Sequence, residues 1–63
     1  MIDPVPFPLG SRVRVRATGA QGVVVEVSRR HRTVDVDLGD ACVAELSWDE
    51  LELVARPDGS RPN

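Results

Sequence analysis

The sequence predicts a small all-β fold: five short strands closed into a barrel, with one short helical turn before the last. Three observations predict it. Polar and apolar residues alternate through Arg12-Val13-Arg14-Val15-Arg16 and again through Thr33-Val34-Asp35-Val36-Asp37-Leu38, the period-two pattern of half-buried strands. Turn-forming residues interrupt these runs at short intervals. Eleven valines against two aromatic residues, Phe7 and Trp48, give the β-branched composition that suits a pleated, half-buried surface. Closure would also remove the exposed edges of so short a sheet.

Residues 1–10 carry Pro4, Pro6 and Pro8, which fix φ and lack donors, so they predict an extended arm outside the sheet. Phe7 and Leu9 are expected to tack it onto the barrel, which spans 11–54. The first strand holds Val13 and Val15 inward and Arg12, Arg14 and Arg16 toward water. Ala17 to Gly22 reads as a turn, with Gly19 and Gly22 to absorb positive φ. Val23-Val24-Val25-Glu26-Val27 resumes as a strand, and Ser28-Arg29-Arg30-His31-Arg32 is a polar hairpin tip. Centring that hairpin between Arg30 and His31 pairs Val27 with Val34, Val25 with Val36 and Val23 with Leu38, all on one face. The same register opposes Glu26 to Asp35, and Arg12 or Arg14 is expected beside Glu26 to relieve the repulsion. After a turn at Gly39-Asp40, Cys42, Ala44 and Leu46 share one parity, so Cys42 reads as a small buried hydrophobe. Ser47-Trp48-Asp49-Glu50 has the S-x-x-E pattern of a capping box, predicting one helical turn before the strand around Leu53. Residues 55–63, with Pro57, Gly59 and Pro62, are expected to form a flexible tail.

The 63 residues allow one domain that hides only ~60% of its unfolded surface, too little to build a deep, layered catalytic cleft. One cysteine and one histidine make neither an internal disulfide nor a four-ligand zinc site, so no metal or cofactor is expected. No apolar run approaches the roughly 20 residues of a membrane helix. Met1-Ile2-Asp3-Pro4 lacks the basic start and apolar stretch of a secretory signal. These readings predict a cytoplasmic protein without membrane or small-molecule partners. The formal net charge of −2 disfavours a generic polyanion binder, but the charge is unevenly placed. Six arginines and one acid, Glu26, fall between Ser11 and Arg32, whereas seven acids and no base fall between Asp35 and Glu52.

The run Phe7-x-Leu9-Gly10-Ser11-Arg12-Val13-Arg14-Val15-Arg16, followed by Gly22-Val23-Val24, Val34-x-Val36 and Trp48-Asp49-Glu50-Leu51-Glu52, resembles the SH3-like barrels of bacterial accessory subunits. It is similar to the C-terminal barrel of the nitrile hydratase β subunit and, in layout, to the small barrel subunits of photosystem I and ferredoxin–thioredoxin reductase. That resemblance implies an assembly role without catalysis, since the metal-binding cysteine cluster of nitrile hydratase belongs to its other subunit. Gly19-Ala20-Gln21-Gly22-Val23-Val24 also resembles the KOW motif, which implies RNA or protein binding. A third resemblance, to an SH3-like bacterial antirepressor, implies an acidic surface that mimics DNA.

Catalysis finds no support in the sequence. His31 has no acid or nucleophile beside it, and Cys42 has no local activating base. The expected function is a non-catalytic protein-binding module, an accessory or regulatory subunit contacting a basic partner through Trp48, Asp49, Glu50 and Asp37. Trp48 is either a barrel lid packed on Phe7 and Leu51 or a partly exposed hot spot rimmed by these acids. The alternative is KOW-like nucleic-acid binding through Arg29, Arg30 and Arg32, helped by Arg14 and Arg16. No exposed aromatic platform for base stacking is expected near that loop.

Overall fold

A computed structural model describes residues 6–61. Met1 to Val5 of the expected arm, Pro4 included, and residues 62–63 of the expected tail lie outside the described residues. The strands are β1 (Arg12–Val15), β2 (Gln21–Ser28), β3 (Thr33–Gly39), β4 (Cys42–Ser47) and β5 (Leu51–Ala55), with a 3-10 turn at Trp48–Glu50. They form one antiparallel sheet in the order β4-β3-β2-β1-β5. The all-β class is as expected, but the sheet is open. The 3-10 turn carries the chain from one edge strand to the other, and no ladder joins β4 to β5 among the described residues. No helix among them is long and apolar enough to cross a membrane.

One face of this sheet must bury itself, and it does so by curling. Val13 and Val15 of β1, Val24 of β2, Val34 and Val36 of β3, Leu51 of β5 and Phe7 of the arm form the core. Leu46 from one edge strand and Leu53 from the other pack against the same cluster. Phe7 tacks the arm down as expected, whereas Leu9 is 60% exposed. The arm also extends the β1–β2 ladder: Gly10 N–H donates to the Val24 carbonyl at 2.9 Å, and Val24 N–H donates to the Ser11 carbonyl at 2.9 Å.

The expected hairpin register holds only near its tip. Val27 pairs with Val34 and Glu26 with Asp35, but then a bulge intervenes, and Val24 pairs with Val36 and Val23 with Asp37. The expected pairs Val25–Val36 and Val23–Leu38 therefore do not form. The extra residue is Val25, and it changes the parity of β2. Val24 and Val27 both face inward, while Val25 and Val23 are turned out, 44% and 39% exposed.

A second correction concerns Cys42. Gly39, Asp40 and Ala41 all have positive φ, at 94°, 52° and 58°, forming a tight left-handed connection. The β3–β4 register shifts there, so that Cys42 starts β4 opposite Gly39 and is exposed. Its parity with Ala44 does not bury it, because the inner face ends where the turn begins.

Gly22 of β2 lies directly against the β3 backbone. A Cβ at this position would lie 2.4 Å from the Asp37 carbonyl oxygen and 2.7 Å from Val36 Cγ1.

Candidate protein-binding surface

The two registers on either side of β3 place side chains of β2, β3 and β4 in rows on the outer face. Glu26 pairs with Asp35, and Asp35 pairs in turn with Glu45. Residues directly opposite on adjacent strands have Cβ atoms about 4.5–5.5 Å apart, so three carboxylates stand side by side across three strands. A neighbouring row reads Val43, Asp37, Val23 and Arg12. Glu26, Asp37 and Glu45 are exposed and Asp35 is half-buried. Val43 is 57% exposed, which gives the acidic row an apolar border together with Val23 and Val25. Among the described residues none of these four acids forms an ion pair; the one pair present joins Arg14 to Glu52.

That pair overturns the expected ladder of β1 arginines with Glu26 and Asp35. β1 lies along β2 only from Arg12 to Arg14, opposite Val23 to Gln21, and so never reaches Glu26. Its other neighbour is β5, where Arg14 stands opposite Glu52. Arg16 is also engaged on that side: its Nε donates to the Leu51 carbonyl at 3.2 Å, and its backbone N–H to the Glu50 carbonyl at 2.9 Å. Relief by arginine thus goes to Glu52, and no ion pair reaches the three-acid row among the described residues.

Trp48 lies at the other end of β3 from Asp37. Ser47 pairs with Thr33, and Trp48 N–H donates to the Arg32 carbonyl at 3.0 Å. The indole is half-buried and packs against the core, between the lid and the exposed hot spot that the sequence left open. Its Nε1 is buried without an acceptor among the described residues. The capping box forms as expected: Ser47 Oγ accepts from Asp49 N–H, and Glu50 Oε2 accepts from Ser47 N–H at 2.8 Å. Asp37 instead accepts from Gly39 N–H at 2.9 Å through Oδ1. Four residues of extended β3 separate it from Thr33, about 13 Å. The structure thus gathers Trp48, Asp49 and Glu50 beside Arg32, and groups Asp37 with Glu26, Asp35 and Glu45.

Sequence reasoning named Asp37 but not the other three. The hairpin register already opposed Glu26 to Asp35; the missing signal was the β3–β4 register, which brings in Glu45.

Arg29, Arg30, His31 and Arg32 form the exposed β2–β3 turn. Arg32 has φ of 55°, and His31 N–H donates to Ser28 Oγ at 3.4 Å. None of the three arginines forms an ion pair among the described residues. No three metal-ligating side chains among them come close enough to hold an ion. Comparison with protein-family models, curated proteins and solved structures finds no match to this chain.

Proposed function

We propose that the chain is a non-catalytic protein-binding module with an SH3-like strand layout left open at β4, an accessory or regulatory subunit of a cytoplasmic complex. It contacts a basic partner through the outer face of β2, β3 and β4. The observation that carries this reading is the row of Glu26, Asp35 and Glu45, placed side by side and without an ion pair among the described residues. Like charges directly opposite one another are destabilising in a sheet, and a basic partner converts that cost into attraction and faster encounter. Trp48, Asp49 and Glu50 adjoin the face at its Ser47 end, with Trp48 acting mainly as packing. A DNA-mimicking antirepressor is the special case in which the partner is a DNA-recognition helix.

The second reading is nucleic-acid binding through Arg29, Arg30 and Arg32, favoured by their exposure and by their having no ion pair among the described residues. Arg14 and Arg16 are held on the β5 side, so three phosphate contacts remain for the tip. That corresponds to a salt slope of roughly −2.7, small for a dedicated binder.

A ¹⁵N chemical-shift titration separates the two. The probes are octa-arginine, a short DNA duplex and an RNA oligomer, each at low and at physiological salt. The proposal expects octa-arginine to shift Glu26, Asp35 and Glu45, with the response lost in the triple variant Glu26→Gln, Asp35→Asn, Glu45→Gln. Salt-sensitive shifts at residues 29–32 with nucleic acid, and silence with octa-arginine, overturn it in favour of the second reading.

A further inference from the structure

The acidic row does not stop in the middle of the sheet; it ends on an edge strand. β4 is the outermost strand, paired on one side with β3 and on the other with no strand among the described residues. In an antiparallel strand alternate residues direct both N–H and C=O to each side, so β4 offers a free half-ladder. Edges are commonly blunted by proline, charged side chains or a bulge; Cys42–Ser47 contains no proline, its one charge is Glu45, and its pairing with β3 runs regularly from Val43 to Ser47. We propose that β4 accepts an added antiparallel strand from the partner, an extended segment with basic and apolar residues alternating on one face. This rests on the basic-partner reading above and adds the mode of binding.

The sequence of that segment follows from the rows. A residue opposite Glu45 continues the line Glu26, Asp35, Glu45 and should be lysine or arginine. A residue opposite Val43 on the same face continues the line from Asp37 through a valine that is 57% exposed, and should be apolar. Strand addition obtains affinity from backbone bonds and specificity from such alternate side chains. A second copy of this chain is a poor occupant, because β4 against β4 sets one acidic row alongside another. The far edge of β5 is a poor receptor for a basic segment. The depression around Val54 and Ala55 is lined by Arg12, Arg56 and Arg61.

The test is a titration of the full chain with an end-blocked peptide, Thr-Lys-Thr-Val-Thr-Lys-Thr-Val-Thr-Lys. Two counterparts carry methyl groups on every second backbone nitrogen, one in each phasing. The expected result is shifts and slowed amide exchange centred on Cys42–Ser47. Methylation in one phasing should weaken binding by about tenfold or more, as lost hydrogen bonds require. Glu45→Lys should weaken the lysine peptide on the order of tenfold and favour one with glutamate in place of lysine. Equal binding of both methylated peptides overturns strand addition and leaves the basic-partner reading standing. Protection along Leu51–Ala55 instead overturns the choice of edge. Silence with the peptide while octa-arginine still shifts the acidic row overturns this inference alone, and silence with both overturns the two together.

Discussion

Replacing Gly22 with alanine tests how closely β2 and β3 pack at the end of their ladder. The added methyl would lie 2.4 Å from a backbone oxygen of β3, at Asp37, and 2.7 Å from Val36 Cγ1. Carbon contacts are comfortable at about 3.5–4.0 Å, so β2 and β3 would have to part by about 1 Å. The oxygen is fixed in a strand and cannot swing aside. Val36 is fully buried and has no free volume to move into. Overpacking of this kind costs about 1–3 kcal/mol, and the backbone obstacle places Gly22→Ala at the upper end, about 3 kcal/mol. A domain of this size holds roughly 3–9 kcal/mol in total, so the variant loses a third of its stability or more. At about 4–8 °C per kcal/mol, its thermal midpoint should fall by about 12–24 °C. Thermal and urea unfolding followed by circular dichroism read the effect. Gln21→Ala, at an exposed neighbouring position, serves as the control and should stay within about 0.5 kcal/mol. If Gly22→Ala unfolds with the control, β2 and β3 do not approach at Asp37 as described.

Other positions give smaller effects. Ala41 has φ of 58°, and left-handed backbone costs an L-residue about 1–2 kcal/mol. Ala41→Gly should therefore raise the urea midpoint by a net gain of about 0.5–1 kcal/mol after the extra entropy of the unfolded chain. Ser47→Ala removes the cap of the 3-10 turn and should cost about 1 kcal/mol in the same assay. The Asp58 carboxyl is held below its ordinary 3.8 by the Ser60 hydroxyl and then by the Ser60 N–H. With the folded value depressed, this support is present above the unfolded value and lost as pH falls through the folded one. Carbon-detected titration should find Asp58 below 3.8 and, in Ser60→Ala, closer to it.

What could be read from the sequence was what is local and periodic. β1 and β3 alternate cleanly and appear close to where expected, and the S-x-x-E pattern at Ser47 gave both the turn and its cap. The hairpin register was legible as far as Val27 and Glu26. It failed at Val23-Val24-Val25, where three identical residues carry no period. Nothing there marks which one is the extra residue of a bulge. Cys42 was misplaced because the turn was legible at Gly39-Asp40 but its extension through Ala41 and the register shift beside it were not. The arginine partners were missed for a different reason. Arg14 meets Glu52 from 38 residues away along the chain, through a β1–β5 pairing that local pattern does not encode. The acidic row needed two registers at once, and sequence supplied only one of them.

The first and last strands also bring the two flanks of the sheet, Gly10 and Pro57, together. Arg12 pairs with Ala55, and a methyl on Gly10 would stand 3.4 Å from the Pro57 ring. The turn that follows is tied by Arg56 N–H to the Ser60 carbonyl at 2.7 Å. A unit whose chain arrives and departs at one place can be set into a loop of a larger protein without forcing that loop apart. Equally, a short linker could join the two ends and a new break be opened at the Arg29–Arg32 turn, giving a circular permutant in which every strand keeps its neighbours.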